Sequence, residues 1–316
     1  MTAPRARETA AGATVARTRA QAKVNLLLRV LGREESGYHQ LETLFCRLEL
    51  GDDVMVRTNV RGRSLDCAGD AVPAGGLGPV ERNLAWRAAV AYAEATGWPN
   101  AWAIEIDKRV PVGGGLGGGS ADAGAVLRCL NALSPAPLDD GVLLQLAAPL
   151  GSDVPFLTSE TPLALAWGRG ERMLAVPGLP SRVVTLACFA FGVATPDAYR
   201  WLDDARSSAA SAAPTASMLD LEHLTTWNGI GRLAHNDFES VVAPRFSPIG
   251  ETLASWRDSN ALRDDSSSFV MLAGSGSTVF AVADQALPTP DAKVERQVRT
   301  LATRTATRVV GVEVSG

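Results

Sequence analysis

The sequence predicts an α+β protein of two domains, and three stretches carry that prediction. Apolar and polar residues alternate from Trp102 to Asp107, which is the period-2 pattern of a strand with one buried face. Apolar residues then recur at helical spacing from Val126 to Leu133. The segment Pro177-Gly-Leu-Pro180 is the strongest break in the chain. Because 316 residues suffice for two domains or one large one, we expect an N-terminal domain over 20–178 and a C-terminal domain over 179–316.

Composition narrows the class of protein. With 46% hydrophobic and 20% charged residues, the chain has the make-up of an ordinary globular protein. A net charge of −4 argues against a nucleic-acid partner, which would usually require a basic surface. No apolar run approaches the ~18 residues that a membrane span needs. The four cysteines lie far apart without a C-x-x-C pair, so neither a zinc site nor a disulfide framework is expected, and a reduced cytoplasm fits best.

The elements of the N-terminal half can be predicted in order. Residues 1–19, with arginines among Ala and Thr, are expected to form a disordered tail, an organellar transit peptide being the alternative. Strands are expected from residue 22 to 30 and from 44 to 50, with a turn at Gly51–Asp53 and a return strand over 54–57. Residues 62–80 are rich in Gly and Pro and indicate a loop. Asn83 caps a helix that Gly97 closes, and another helix is expected over 139–150.

The C-terminal half is expected to contain a β-β-α-β arrangement. Gly168–Glu171 indicates a tight turn between strands at 163–167 and 173–176, and an apolar strand covers 182–191. The Ala/Ser-rich residues 205–217 indicate a mobile surface loop, and Asn236–Glu239 opens a helical region. A strand, a glycine turn and a strand are expected over 268–282, a helix near 291–303 and a last strand over 308–314.

A glycine-rich segment, Pro111–Ala121 (the glycine loop), connects the strand and helix described first. Six of its eleven residues are glycine, which admits positive φ and lets a ligand approach the backbone. Ser120 is in position to cap the following helix, with Asp122 in its first turn. The free N–H groups at such a helix start bind anions, and the helix dipole strengthens this. The loop therefore predicts a phosphate cradle.

The pattern Gly113-x-Gly115-x-x-Gly118 also matches a dinucleotide fingerprint, but a single match of this kind is weak evidence. That fingerprint requires an acidic residue after a second strand, whereas Asp139 and Asp140 open a helix. A Walker A loop is excluded because no Lys follows the glycines. A flexible linker is the remaining alternative, although linkers rarely join a strand to a capped helix.

Three further positions are candidates for chemistry. Lys23 and Asn25 share one face of a strand, which is either functional or simply solvated. The Tyr38-His39 pair could stack on a ring and hydrogen-bond to its edge, although such a pair is more often structural. Asp153 lies between a helix end and an apolar Val-Pro-Phe run, and it requires a cationic partner, for which Lys23 is the candidate. A cap or a structural salt bridge is the alternative for Asp153.

Seven separated segments together resemble the GHMP small-molecule kinases, from about Ala22 to the C-terminus. They are Ala22–Leu26, Gly37–Leu41, Pro111–Asp122, Leu150–Phe156, Gly168–Glu171, Asn236–Glu239 and Gly274–Ser277. The glycine loop and the Gly-Ser-Gly turn are shared across that family. The Lys-Val-Asn-Leu, Gly-Tyr-His and Gly-Ser-Asp-Val-Pro-Phe motifs resemble the branch that phosphorylates 4-diphosphocytidyl-2-C-methyl-D-erythritol.

The resemblance implies a fold and an activity. It implies an N-terminal domain resembling ribosomal protein S5 domain 2 and a C-terminal ferredoxin-like α/β sandwich. The implied reaction is ATP-dependent phosphorylation of the 2-hydroxyl of the cytidine diphosphate substrate, a step of non-mevalonate isoprenoid biosynthesis. ATP and Mg²⁺ are the implied cofactors, and a cytoplasmic monomer or weak homodimer is expected, without a nucleic acid or membrane partner.

The resemblance also implies roles for individual residues. Asp153 would act as the base or orient the hydroxyl, with Lys23 beside it and Asn25 and Thr195 in support. Tyr38 and Tyr199 would sandwich the cytosine, whose edge His39 would contact. The implied nucleotide-binding residues are Asn83 and Lys108 near the adenine and, at the phosphates, Pro111, Val112, Gly113, Gly114, Gly115, Leu116, Gly117, Gly118, Gly119, Ser120 and Ala121.

The chain departs from the family pattern at two positions of the glycine loop. Ser120-Ala121 stands where Ser-Ser is common, and Gly119 stands where other GHMP kinases have a serine, so the metal ligands stay open. Three competing functions also stay open at this point. They are a GHMP kinase for homoserine or mevalonate, a catalytically silent nucleotide-binding regulator, and a nucleic-acid module on a similar fold.

Overall fold

A computed structural model describes residues 14–208, 219–259, 262, 265–290 and 298–316. Within them, strands and helices are both abundant, which confirms the predicted α+β class. Strands form two sheets, and no helix of the described part of the chain is long and apolar enough to cross a membrane.

The larger sheet is built around two long antiparallel strands, β1 (Val15–Arg33) and β2 (His39–Arg57). The strands β3 (Arg63–Ala68), β4 (Trp102–Asp107), β5 (Leu163–Gly168) and β6 (Arg172–Ala175) join it from the N-terminal half. With β12 (Glu313–Ser315) at one edge, the order β12-β1-β2-β4-β3 runs across the sheet, and β5 pairs with both β2 and β6. The strands predicted over 102–107, 163–167 and 173–176 are therefore confirmed, as is the turn between the last two.

Three predictions about this sheet were wrong because they ignored strand pairing. The expected tail over 1–19 enters β1 at Val15, since Val15 pairs with both Arg57 and Ser315. Residues 1–13 lie outside the described part. Gly51–Asp53 forms no turn, because β1 lies opposite and β2 continues through it. The expected loop over 62–80 contains β3, which pairs in parallel with β4.

Four helices cover one face of the larger sheet, namely α1 (Leu84–Thr96), α2 (Gly118–Leu133), α3 (Asp140–Ala147) and α4 (Val154–Thr158). The Asn83 side chain accepts a hydrogen bond from the N–H of Ala85 and caps α1 as predicted. Gly97, at φ 71°, ends α1 in the left-handed conformation. The apolar sides of α1 and α2 bury Trp102, Ile104 and other sheet residues, each worth about 1.5–3 kcal/mol.

The second sheet is antiparallel in the order β11-β7-β10-β9. Its strands are β7 (Val183–Phe189), β9 (Phe269–Leu272), β10 (Val279–Ala283) and β11 (Val298–Arg304). The helices of this half are α5 (Thr195–Ser208), α6 (Leu221–Leu224), α7 (Trp227–Leu233), α8 (Glu239–Val242) and α9 (Ser247–Arg257). Apolar residues of this sheet share one core with β1 and β2 of the larger sheet.

Several boundaries in this half differ from prediction. The helix expected near 291–303 is wrong over 298–303, since those residues pair with β7 as β11 and this pairing overrides local helix propensity. Residues 291–297 lie outside the described part. The loop expected over 205–217 begins inside α5, whose helix continues to Ser208, and its remainder is likewise not described. The strand expected over 308–314 forms only at Glu313–Ser315, as β12.

The predicted domain boundary after residue 178 stays a prediction. All strands of the second sheet follow this boundary in sequence. However, β8 (His235–Asn236) and β12 (Glu313–Ser315) also follow it, and both pair with β1 in the larger sheet.

Candidate active site

The glycine loop connects β4 to α2 through three glycines with left-handed backbone. Gly113, Gly115 and Gly117 have φ values of 77°, 79° and 71°. A Cβ at Gly115 would collide with the backbone carbonyl of Ala273, whereas a Cβ at Gly113 would meet nothing within 4 Å. The loop therefore packs closely against the turn between β9 and β10 and is open at Gly113.

The helix that follows the loop starts earlier than predicted. Gly117 is its N-cap, so the prediction that Ser120 caps α2 was wrong, because the left-handed Gly117 turns the chain directly into the helix. No side chain caps this end, and Ala121 is the first residue to donate its N–H to the N-cap carbonyl, at 2.8 Å. The preceding N–H groups of α2 are therefore available to an anion.

Lys23 and Asp153 form an ion pair next to this loop. Lys23 Nζ lies 3.2 Å from Asp153 Oδ2, which confirms the predicted pairing. The same Nζ donates to Asn25 Oδ1 at 2.8 Å, so both residues share a strand face as expected. Asn25 Nδ2 in turn donates to Thr43 Oγ1 at 2.7 Å. Asp153 is the N-cap residue of α4 and its side chain keeps 28% exposure, so a ligand can reach the carboxylate.

Most of the predicted site residues line one cavity of about 510 Å³. Its lining includes Lys23, Asn25, Asn83, Lys108, Pro111–Ser120, Asp153, Thr195 and Tyr199. Ala121 is the exception within the glycine loop, because its side chain is buried in the core under α1 and α2. Thr195, at the start of α5, lies with its Oγ1 2.9 Å from Ser275 Oγ, which joins it to the Gly274–Ser277 turn.

A second cavity of about 710 Å³ adjoins the first, and residues that line both include Ser152, Thr195 and Tyr199. We call this the aromatic groove, and its other lining residues include Tyr38, His39, Arg169 and Asp203. Burial, and then the charge of Asp153, raises the pKa of the Tyr199 hydroxyl to about 12, so this tyrosine is neutral. The groove continues from the Lys23–Asp153 pair towards α5.

The aromatic rings of the groove are paired with other side chains of the protein. The His39 ring stacks on Tyr199, with centroids 4.3 Å apart and planes 17° apart. Tyr38 is 59% exposed and stacks on the Arg169 guanidinium, 4.1 Å from the ring centroid. The His39 ring therefore covers one face of Tyr199, and its contact with the base edge stays a prediction. Tyr38 lies in the connection just before β2, whereas His39 is the first residue of that strand.

Two acidic residues at the glycine loop were not predicted as part of the site. Lys108 Nζ contacts Asp52 Oδ2 and lies 2.6 Å from Asp122 Oδ2, and all three side chains are buried. Asp52 Oδ1 also accepts from the N–H groups of Arg109 and Val110, at 2.6 and 2.8 Å. Asp52 thus connects the entry of the loop to the start of α2.

The charges of this buried triad influence each other. Burial raises the pKa of Asp122 to about 7, although the charge of Lys108 opposes the shift. Burial alone would lower the pKa of Lys108, but Asp122 and Asp52 raise it, so this ammonium stays charged. The Lys108 ammonium is therefore held by two carboxylates. The position of Lys108 near the adenine stays a prediction.

No group of three or more His, Cys, Asp and Glu side chains suited to a metal ion occurs among the described residues. The oxygen donors that line the cavity beside the glycine loop include the Asp153 carboxylate and the Ser120 hydroxyl. This set fits Mg²⁺ carried by a triphosphate, since protein-bound Mg²⁺ usually needs only one or two carboxylates besides phosphate and water.

Comparison with known proteins agrees with this geometry. The N-terminal domain of the GHMP kinases matches residues 83–160. The chain is 40% identical over 267 residues to 4-diphosphocytidyl-2-C-methyl-D-erythritol kinase of Anaeromyxobacter sp. strain K, covering 84% of this chain and 80% of the relative. It is 37% identical over 268 residues to the kinase of the same name from Deinococcus radiodurans, covering 84% of each chain.

Solved structures give the same result. This chain is 33% identical in sequence to the protein in a crystal structure of 4-(cytidine 5'-diphospho)-2C-methyl-D-erythritol kinase. The two structures superpose with a TM-score of 0.69, covering 92% of this chain and 98% of the other. A homoserine kinase from Cytophaga hutchinsonii, at 16% identity and a TM-score of 0.63 over 96% and 97% of the two chains, shares the fold. The chain therefore belongs to the 4-diphosphocytidyl-2-C-methyl-D-erythritol kinase family, a branch of the GHMP small-molecule kinases.

Proposed function

We propose that this kinase transfers the γ-phosphoryl group of ATP to the 2-hydroxyl of 4-diphosphocytidyl-2-C-methyl-D-erythritol, in non-mevalonate isoprenoid biosynthesis. The observation that carries the proposal is one cavity lined by the uncapped start of α2 and by the Lys23–Asp153 pair. Phosphoryl transfer requires these two parts side by side, one to hold the triphosphate and one to activate the acceptor.

The glycine loop is proposed to hold the ATP phosphates. The backbone N–H groups at the start of α2 donate to phosphate oxygens, and the dipole of this 16-residue helix attracts their negative charge. Gly113 faces open space, since even a Cβ at this position would have no neighbour within 4 Å, and it leaves the outer edge of the loop accessible to the nucleotide. Asn83 and Lys108 border the same cavity and are proposed to lie near the adenine.

The Lys23–Asp153 pair is proposed to activate the acceptor. Asp153 orients the 2-hydroxyl and accepts its proton as the oxygen forms a bond to the γ-phosphorus. The bond between that phosphorus and the β,γ-bridging oxygen breaks, and ADP leaves with the bond's electrons. The Lys23 ammonium, 3.2 Å from the Asp153 carboxylate, pairs with this group and attracts the transferring phosphoryl oxygens. Asn25 holds the ammonium in place.

A Mg²⁺ ion bound with ATP is part of the proposal. Its chemistry is to neutralise charge on the β- and γ-phosphates. Asp153 and Ser120 both line this cavity, and their oxygens would help to hold the ion. Because Gly119 and Ala121 lack a hydroxyl, Ser120 contributes the glycine loop's side-chain oxygen.

The aromatic groove is proposed to bind the cytosine. Tyr199 supplies a stacking face from α5, and Tyr38, rigidified by Arg169, covers the base from the other side. A base on Tyr199 takes the face that the His39 ring now covers, so His39 moves to the base edge on binding. His39 Nε2 lies 2.8 Å from Asp203 Oδ1, and an ionised carboxylate only accepts, so Nε2 carries the proton. In the neutral imidazole Nδ1 is then an acceptor, which suits the exocyclic amine of cytosine.

The protein is further proposed to act in the cytoplasm as a monomer or weak homodimer, without a nucleic-acid partner. The net charge of −4 supports the last point. Size-exclusion chromatography with light scattering over a hundredfold concentration range measures the oligomeric state.

An ADP-release assay tests the function. The purified protein is supplied with ATP, Mg²⁺ and one acceptor, namely the cytidine substrate, its uridine analogue, homoserine or mevalonate. We expect turnover with the cytidine substrate and a phosphomonoester on carbon 2 by ³¹P NMR. We expect the uridine analogue to lose about 1–3 kcal/mol of binding because its carbonyl oxygen faces the Nδ1 acceptor. Turnover of homoserine or mevalonate alone would contradict the proposal.

A further inference from the structure

Arg47, in the middle of β2, is a buried cation outside the reaction described above. Its side chain is among the largest that are fully buried, at 1% exposure. Within the described residues no carboxylate pairs with it. Burial, and then the nearby charge of Arg128, lowers the pKa of Arg47 to about 9. An arginine held in such surroundings requires strong compensating contacts.

The hydrogen bonds of the Arg47 guanidinium go to backbone carbonyls at the end of α4. Nη2 donates to the carbonyls of Phe156 and Ser159, each at 2.8 Å, and Nε donates to the Thr161 carbonyl at 3.2 Å. The last carbonyls of a helix lack partners inside the helix and carry negative partial charge. The guanidinium supplies both donors and positive charge at this end of α4.

Phe156 adds an apolar contact to this anchor. The Arg47 guanidinium lies over its ring, 5.0 Å from the centroid. The Phe45 ring stacks on the same residue, with centroids 4.9 Å apart and planes 15° apart. Phe45 and Arg47 are two residues apart on one strand and therefore share its face. Together they attach α4 to β2.

The opposite end of α4 carries the Lys23–Asp153 pair. Asp153 is the N-cap residue of this helix, and Lys23 is the cross-strand partner of Arg47 in the β1–β2 register. Two facing cations on adjacent strands thus hold the two ends of one helix. Since α4 has only five residues, it is too short to be stable alone, and its position depends on these attachments.

We propose that Arg47 is a positioning residue that sets the location of Asp153 by anchoring the C-terminal end of α4. It contacts no reacting atom and acts through the helix, and the inference rests on the proposed function of Asp153. Without this anchor α4 shifts on the sheet, and the carboxylate leaves its position between Lys23 and the acceptor hydroxyl.

Replacement of Arg47 by Met tests the proposal, because Met fills similar volume without donors or charge. We expect Arg47→Met to lower kcat by about 10- to 100-fold, since a misplacement of about 1 Å can cost about 100-fold. KM for ATP and for the cytidine substrate should change by less than about threefold, because both binding surfaces lie on other elements. Arg47→Lys, which keeps one donor group and the charge, should recover part of kcat.

The matched control is Arg128→Met, which removes another buried arginine from the same core. Arg128 donates to the carbonyl of Val310, near the C-terminal end of the chain. Both Met variants are expected to melt at lower temperature, so kcat is expressed per folded molecule, counted by ATP-binding stoichiometry well below the melting point. We expect Arg128→Met to keep wild-type kcat.

The outcomes separate the two hypotheses. If the wild-type enzyme does not phosphorylate the cytidine substrate, the proposed function itself is wrong. If the wild-type enzyme is active and Arg47→Met keeps its kcat per folded molecule, then Arg47 only stabilises the fold. Equal losses in the two Met variants would lead to the same conclusion. If Arg47→Met does not fold, Arg47→Lys carries the test, and a wild-type kcat with a lowered melting temperature overturns the positioning role.

Discussion

The glycine loop and the aromatic groove lie on two sides of the Lys23–Asp153 pair, but they are built differently. The glycine loop is one contiguous segment whose shape follows from left-handed glycines and from a helix start. The aromatic groove takes Tyr38 from the β1–β2 connection, His39 from the start of β2, Arg169 from a hairpin and Tyr199 from a helix of the C-terminal half. Local motifs therefore determine the nucleotide side, whereas long-range packing determines the acceptor side.

Asp153→Asn tests whether these two sides are independent and should have the largest effect. Loss of the base should lower kcat by about 10²- to 10⁴-fold, the range for general acid–base catalysis. ATP affinity should stay within a few-fold, because the glycine loop is unchanged. Lys23→Met should be similarly impaired, since the carboxylate loses its partner at 3.2 Å. Steady-state kinetics with ATP-binding calorimetry measures both effects, and near-normal turnover of Asp153→Asn would show that the base is another group.

Gly115→Ala should disrupt the nucleotide side alone. Both Gly115 and Gly113 have positive φ, where a side chain costs about 1–2 kcal/mol. Only at Gly115 would the new Cβ also collide with the Ala273 carbonyl. We therefore expect KM for ATP to rise clearly more in Gly115→Ala than in the matched Gly113→Ala, with KM for the cytidine substrate unaffected. Equal effects of the two substitutions would mean that contact with the β9–β10 turn does not shape the loop.

Tyr199→Ala and Tyr38→Ala should disrupt the acceptor side alone. Stacking of a base on an aromatic ring is worth about 1–3 kcal/mol. Each substitution should therefore raise KM for the cytidine substrate by roughly 5- to 150-fold without changing ATP affinity. The Phe variants are the controls and should be nearly silent, because the ring carries the contact. Should both Ala variants lose ATP binding and keep KM for the cytidine substrate, the two nucleotide pockets would be reversed.

Asp122→Asn, next to the glycine loop, should have the smallest effect. It should change how the unfolding free energy of the protein depends on pH. The pKa of Asp122 is raised from 3.8 to about 7 in the folded protein. A carboxyl group whose pKa is higher in the folded state than in the unfolded state stabilises the fold at pH values below its unfolded pKa. This contribution is lost as pH rises through 7. The Asn variant does not titrate, so its unfolding free energy relative to wild type should increase between pH 5 and pH 8, on the order of 1 kcal/mol. Urea denaturation at both pH values measures this, and parallel pH profiles would contradict it.

Corrections to the fold concentrate where strand pairing decides the outcome. Gly51-Asp-Asp53 has the composition of a turn, yet β1 lies opposite and keeps β2 extended. The segment near 291–303 has helical composition, yet residues 298–304 pair with β7. Residues 15–19 were expected to belong to a disordered tail, yet they pair with β2, and residues 15–17 also pair with β12. In each case the deciding partner lies far along the chain, and local propensity carries no information about it.

Sequence by itself determined the α+β class, the glycine loop, the caps of α1 and the Lys23–Asp153 pair. These depend on neighbouring residues, on periodicity, or on a charge that has one suitable partner. Only the tertiary structure decided that Asp52 and Asp122 hold Lys108, that His39 covers Tyr199, and that Arg47 anchors α4. The physical reason is burial. A charged or aromatic side chain that is removed from water needs hydrogen-bond, charge or ring partners within contact distance, and those partners can come from any part of the chain.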